Sequence, residues 1–426
     1  MKLSEIRGSG PNPELFGVPA TVVIDSKDAI NVQNFGAKGD GQTNDTAAIQ
    51  AAVDVAVAGS GKVLVPDGVY MVDALQAVRL RSGVVFQMES GAILQAIPNS
   101  SRFSAVLAIE NVNNVTVLGG TIRGERKLHS GKKGEWGMGV QINGSRNILI
   151  QGTAANDCWG DGFYIGTETF VGPNAWMELF GVPENIRLID IRANNNRRQG
   201  ISLIAGINVE ILRPILTNTN GTAPAAGLDI ETNRNTDFLE NIVVSDAFTA
   251  NNQGSGITLN TERLQGTDRP ISIKIINHRD EGSNRGFFTG GRGIIPGSIL
   301  IDSPQWIESK QNALAILIHD YRSFFIDVCN PQIYNANRKG SKVPTTGATI
   351  AVYNFDGDEE GDGIGNIRIS APFITETEDP RKTVRGIYAW DVSGRPLQNF
   401  IITAPAYLAQ IGFDESLKQY IKSSQP

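Results

Sequence analysis

Three histidines and two cysteines in 426 residues leave little material for metal or redox chemistry. Cys158 and Cys329 lie far apart, fit no zinc spacing and read as buried thiols, so neither a disulfide, a metal site nor a cofactor is expected. Lys/Arg runs reach no more than two or three residues and the net charge is −6, which speaks against nucleic acid or an anionic membrane as partner. No apolar stretch approaches the length of a membrane span, and the opening "MKLSEIRGSGPNPELFGVPATVVIDSKD" lacks the apolar core of a signal peptide. From that opening we expect a cytoplasmic protein, a virion protein released by lysis, or a piece of a longer protein. Helical periodicity is also scarce and ends before residue 75. In its place stand 47 glycines and a hydrophobic content of 40%, a composition for many sharp turns around a long core.

Residues 30–72 alternate strand, Gly-rich turn, helix, Gly stop and strand. Asn44, Asp45 or Thr46 can cap a helix at about 45–58, Ile49, Ala52, Val53 and Ala56 form its apolar face, and Gly59 sits where a left-handed C-cap is wanted. Beyond it, two series of short β-branched runs interleave. One opens with Gly, as "GVQI" at 139, "GFYI" at 162, "GISL" at 200, "GLDI" at 227 and "GITL" at 256. The other opens with Asn, as "NVTV" at 114, "NILI" at 147, "NIRL" at 185, "NVEI" at 208, "NIVV" at 241, "NIRI" at 366 and "NFII" at 399. Strands this short bury little alone. Stacked as coils they share one core, with like residues in ladders about 4.8 Å apart, and Asn suits a turn that tolerates positive φ. A large β-sandwich also alternates, but rarely keeps two fixed openers for so long. The expectation is therefore an all-β, single-stranded right-handed parallel β-helix (solenoid) over residues 29–426, with an N-terminal capping helix, after an N-terminal extension at 1–28. The segment 406–426 reads as a last strand and a short helix closing the open end.

"NFGAKGDGQTNDTAAIQAAVDVA", the following "GSGKVLVPDGVYMV" and "LGGTIRGER" resemble the pectate-lyase-like right-handed β-helix superfamily, which includes polygalacturonases, alginate epimerases and bacteriophage tailspike depolymerases. The resemblance implies the fold and a polysaccharide partner. By analogy with tailspikes it also implies a homotrimer of parallel β-helices. It does not select among hydrolase, lyase, epimerase and plain adhesin.

Strand alternation places the chemistry. In "WGDGFYIG", Phe163 and Ile165 point inward, so Asp161 and Tyr164 face out; the same rule turns out Gln199 and Ser202 behind Arg198, and Asp229 and Glu231 in "GLDIET". Asp161 and Asp229, two coils apart, are about 9–10 Å apart at the backbone, and Asp229 and Glu231 about 7 Å, separations that suit paired carboxylates in glycoside hydrolysis. Trp159, Tyr164 and Trp136 supply faces for sugar rings. The long connection 124–140 adds His129 and Glu135 among Arg126, Lys127, Lys132 and Lys133, cations that favour an acidic sugar. His129 reads as a solvated loop residue or a base at the cleft rim.

The expected catalytic groups are Asp161 with Asp229 or Glu231. The expected substrate-binding groups are Trp159, Tyr164, Arg198, Gln199, Ser202, His129, Glu135 and Trp136. Asp161 resembles in placement the first catalytic aspartate of polygalacturonases, yet "RRQG" stands at 197–200 where those enzymes carry an Asp pair, and their G-H-G and R-I-K motifs are absent. Elimination from a uronate, with Arg198 neutralising the carboxylate and Tyr164 or His129 moving the proton, is the rival chemistry. A carbohydrate-binding or virion spike role without catalysis is the alternative outside enzymes. The acidic run 354–366 does not follow EF-hand spacing and reads as a surface loop before a calcium site.

Overall fold

The computed structural model describes residues 25–173, 175–290, 293–355, 363–377, 385–392, 394–404 and 415–423. Most of the acidic run lies outside them, as does most of the stretch before residue 29. The described chain divides into two compact units, one ending at Leu228 and one beginning at Asp229. Each is a stack of coils whose strands fall into three parallel sheets.

In the first unit one coil runs through Asn113–Leu118, Thr121–Arg123 and Trp136–Asn143, the next through Arg146–Gln151, Ala154–Asn156 and Phe163–Gly166, and the next through Glu184–Ile189, Arg192–Asn194 and Ile201–Leu203. Inward positions stack like on like. Val115, Ile148, Ile186 and Val209 form one column and Val140, Phe163 and Ile201 another, all essentially without exposure. Full burial of each such side chain is worth about 1.5–3 kcal/mol, which short strands obtain only through their neighbours above and below.

The two openers have separate physical causes. Asn114, Asn147, Asn185 and Asn208 all sit in left-handed backbone at φ 56–58°, and their side-chain amides bond coil to coil. Nδ2 of Asn147, Asn185 and Asn208 donates to Oδ1 of the preceding Asn at 2.9, 2.9 and 3.0 Å. The glycines are required by close approach. A Cβ on Gly139, Gly162 or Gly200 would lie 2.6, 2.7 or 2.4 Å from the carbonyl oxygen of the glycine one coil on. Asn147→Gly keeps the turn and loses the amide bonds, whereas Asn147→Ala also forces a methyl into left-handed backbone. The alanine variant is expected to be less stable than the glycine variant by about 1–2 kcal/mol in urea titrations. Equal losses would place the whole effect in the amide ladder.

The helix Thr46–Ala58 buries Ile49, Ala52, Val53 and Ala56 as the periodicity predicts. Its ends differ from expectation. The Asp45 carboxylate accepts from the amides of Lys38 (2.7 Å) and Gly39 (3.1 Å), closing the preceding turn, and Gly59 ends the helix at φ −124°, outside the left-handed region.

The second unit repeats the plan, with an inward column of Ile273, Ile299, Ile326, Ile367 and Phe400 and an Asn399–Asn366 amide contact of 2.6 Å. Its core also holds a polar chain. Trp306 Nε1 donates to His278 Nδ1 (3.2 Å), so His278 carries its proton on Nε2 and gives it to Thr249 Oγ1 (2.9 Å). The Thr249 hydroxyl then donates to Asp280 Oδ1 (2.7 Å). Burial pushes His278 down to about 3 and Asp280 up to about 7. At the C-terminus the described part is a 3-10 helix, Glu415–Tyr420, followed by the strand Ile421–Ser423; the expected strand ahead of the helix falls on residues 405–414, outside the described set.

Candidate functional site

Asp161 ends the bend between Ala154–Asn156 and Phe163–Gly166, where its carbonyl accepts from Gly139 N (2.9 Å). Its carboxylate is wholly buried, which corrects the expectation that it faces solvent. Oδ2 accepts from Ser202 Oγ (2.8 Å) and Arg198 Nη1 (3.1 Å), while Oδ1 has no partner among the described residues. Burial lifts this carboxyl to about 6, and the Arg198 charge and the two hydrogen bonds restrain the rise. The same guanidinium reaches a second carboxylate, with Arg198 Nε 3.9 Å from Glu135 Oε1. Glu135 also pushes Asp161 upward, and its side chain is 31% exposed against 13% for Arg198. Gln199 serves the scaffold, its buried Oε1 accepting from Ala226 N at 2.8 Å.

The connection 124–140 keeps Lys127, Leu128, Lys132 and Lys133 exposed but folds His129 down, against the expectation of a solvated or rim imidazole. The His129 imidazole is buried, holds Glu125 Oε1 at 2.7 Å through Nδ1, and stacks on Trp159 at 3.8 Å; its Nε2 has no partner among the described residues. Arg197 lies 3.8 Å from the centroid of the same indole, so Trp159 is engaged by protein groups rather than open to a sugar. Arg126 is equally committed, donating to Asn195 O (2.8 Å), Asn196 O (3.2 Å) and Asn220 O (2.7 Å). Trp136 does present an aromatic surface, with Phe103 at 5.1 Å and the exposed Trp176 at 5.0 Å, and Arg102 lies 5.6 Å from its centroid.

Tyr164 stands in register with Gln141 and Ser202 on the outer face of its sheet, as alternation requires. It is nonetheless buried, because the strap 167–181 folds over it. Its hydroxyl donates to Glu168, and Phe170 meets its ring edge-on at 4.7 Å. Beneath the strap Glu110 accepts from Arg79, Thr169 and Gln141 Nε2 (2.7 Å) and is raised by burial. Sequence reasoning missed Glu110 and Glu168; the signal available for Glu168 was "YIGTE", a carboxylate four residues after an outward tyrosine. In the second unit Asp229 is buried on Leu228–Glu231, and Glu231 is half-buried, 3.5 Å from Asn260 Nδ2.

A family model described as Rhamnogalacturonase A/epimerase, pectate lyase-like, matches residues 29–121. The A-module of mannuronan C-5 epimerase AlgE6 from Azotobacter vinelandii shares the fold at TM-score 0.65 and 18% identity, covering 88% of this chain and 93% of that one. Over residues 29–121 the chain is similar to the pectate-lyase-like family, and its fold is the right-handed parallel β-helix. An N-terminal fragment of bacteriophage phi29 gene product 12 shares the fold at TM-score 0.60 and 18% identity, covering 88% of this chain and 66% of that one. The uncharacterized protein YclG of Bacillus subtilis (strain 168) is 27% identical over 390 residues, which cover 80% of this chain and 64% of that protein. The chain therefore spans less than two thirds of that relative's length. Among the described residues no group of three or more His, Cys, Asp or Glu is placed to hold a metal, and no helix is long and apolar enough to cross a membrane.

Arg198 supplies the one hydrogen bond from a charged donor to Asp161 among the described residues. Arg198→Gln removes the largest influence holding that carboxyl down, so Asp161 is expected to stay protonated to higher pH. The variant is expected to lose about 3–5 kcal/mol once pH rises well past 6, when the ionised carboxylate is left buried, and little at pH 5. Denaturant midpoints at the two pH values read the difference directly.

Proposed function

We propose that the protein acts on a polysaccharide by glycoside hydrolysis, with Asp161 as general acid and Glu135 as the carboxylate that activates water. The observation that carries this reading is the sharing of Arg198 by two carboxylates in unlike surroundings, one wholly buried and raised to about 6, the other part-exposed. Asp161 gives its proton to the glycosidic oxygen as that C–O bond breaks, while Glu135 takes a proton from the water that forms the new bond to the anomeric carbon. Arg198, part-exposed above Asp161, has to yield for the sugar to enter, and Phe103, Trp136 and Trp176 offer ring faces beside it.

Epimerisation or elimination at a uronate is the second reading, favoured by the family description over residues 29–121 and by the fold shared with a mannuronan epimerase. Here Arg198 neutralises the sugar carboxylate and His129 Nε2 accepts the proton, since the Tyr164 hydroxyl is held by Glu168.

Mass spectrometry of products from a panel of neutral and acidic polysaccharides separates the readings. Hydrolysis leaves saturated ends, elimination leaves unsaturated ultraviolet-absorbing ends, and epimerisation changes sugar configuration at constant chain length. A polymer bound but unchanged in every case would reduce the protein to a binding module.

A further inference from the structure

On the strap, Trp176 holds left-handed backbone at φ 67°, which costs a residue with a Cβ about 1–2 kcal/mol and suits Gly or Asn better. Its amide is fixed there by a 2.7 Å bond to Thr169 O, across the strap. Burial is incomplete, since Trp176 stays 37% exposed and Met177 beside it 73%. An aromatic kept exposed in strained backbone marks a position that grips a ligand.

The indole meets two rings from other elements. Phe103 and Trp136 are register partners at the heads of adjacent strands, stacked at 5.1 Å and 21°, and Trp176 lies 5.0 Å from Trp136 and 6.4 Å from Phe103. The Arg102 guanidinium sits astride the pair, 5.5 Å from the Phe103 centroid and 5.6 Å from that of Trp136. Arg102 is exposed and forms no ion pair with the described residues, and the same holds for Lys132 and Lys133 on the connection 124–140. Of the acids close by, Glu135 lies against Arg198, and Glu178 acts on Glu110, whose carboxyl its charge pushes up. The ring shelf also runs on from the Asp161 centre. Glu135 directly precedes Trp136, and Trp136 and Phe103 stand one and two coils before Asp161, about 5 and 10 Å along the stack.

We propose that Phe103, Trp136, Trp176 and Arg102 form a subsite for an anionic sugar of the polymer, set to one side of the bond that reacts. Trp176 stacks on the sugar ring, and Arg102 selects its negative group. Continuity with the centre and unpaired cations favour this occupant over a second copy of the chain, whose pairing through the same shelf would set Arg102 and the lysines against their own kind. The inference rests on the polysaccharide reading above and adds to it the residues that choose the polymer.

Affinity electrophoresis of the whole protein tests it, through gels containing polygalacturonate, alginate or dextran sulfate, each beside its carboxyl-reduced or unsulfated counterpart, together with any polymer the product assay shows to be altered. The parent is expected to be retarded more by the anionic form. Retardation by the uronates alone makes the selected group a carboxylate, and retardation by dextran sulfate as well makes it any oxyanion. Trp176→Asn, which removes the ring and tolerates the left-handed backbone, is expected to weaken retention about 10-fold, and Trp176→Phe to restore most of it. Arg102→Gln is expected to erase the preference for the anionic form. An asparagine variant retarded like the parent overturns the shelf, as does a phenylalanine variant no better than the asparagine one. A parent that alters a polymer yet is retarded equally by its neutral counterpart overturns the charge selection. Sedimentation showing an oligomer in the parent and a monomer in Trp176→Asn also overturns the proposal, by making the shelf a protein interface. A parent that neither binds nor alters any polymer removes the polysaccharide reading itself, and this inference with it.

Discussion

Asp161→Asn is expected to lower polymer turnover by about 10²–10⁴-fold, the usual contribution of a positioned proton donor. The amide preserves shape and can still accept from Ser202 and Arg198, so the loss isolates the proton. A pH profile sharpens the test. With the carboxyl at about 6, parent activity is expected to fall as pH rises through that value, and whatever activity remains in the variant should lack this limb. Stability should move the same way with pH. A carboxyl raised on folding favours the folded state while protonated, and that contribution is lost as pH rises from about 4 to about 6. At pH 8 the asparagine variant is therefore expected to be as stable as the parent or more so, although inactive. Full activity in the variant would return Asp161 to the role of a buried ion-pair partner.

The largest pH effect on stability is expected in the second unit, at Asp280. Its carboxyl is raised to about 7 by burial in the coil core, against hydrogen bonds from Ser283 and Thr249 that restrain the rise. The sign is the same: the protonated group stabilises the fold, and the benefit disappears between about pH 4 and pH 7. Asp280→Asn keeps an acceptor for Thr249 and cannot ionise. It is expected to flatten the stability profile and to exceed the parent above pH 7 by an amount of order 2–4 kcal/mol, read from urea midpoints at pH 5 and pH 8. His278, pushed down to about 3, is neutral throughout this window, so the slope belongs to Asp280. A variant with the parent's slope would mean that the chain from Trp306 to Asp280 relaxes on ionisation.

What was legible beforehand was what repeats. The Asn and Gly openers announced the coils because each answers a local demand, left-handed backbone at Asn147 and a carbonyl in the way at Gly200. Alternation also placed Tyr164 and Ser202 in one row. Exposure was not legible, because alternation says which side of a sheet a residue takes and nothing about what lies on top. The strap 167–181 has no period of its own, yet it decides that Tyr164 is buried and that Glu168 and Glu110 share its cover. Of the cations of 124–140, Lys127, Lys132 and Lys133 are exposed and Arg126 alone was misread, for a related reason. Arg126 looked available for substrate and is spent on backbone carbonyls, which carry no side-chain signature.

The asparagine ladder allows coils of unequal length. Asn147 and Asn185 are adjacent rungs 38 residues apart, and Asn185 and Asn208 are adjacent rungs 23 apart, yet the amide contacts are 2.9 and 3.0 Å. The difference of 15 residues equals the length of the strap 167–181. A lineage can therefore lengthen, shorten or exchange that loop in a single genetic event without disturbing the stack beneath it. Recognition and architecture become separately heritable, and the covering over Tyr164 is free to diverge while the ladder stays.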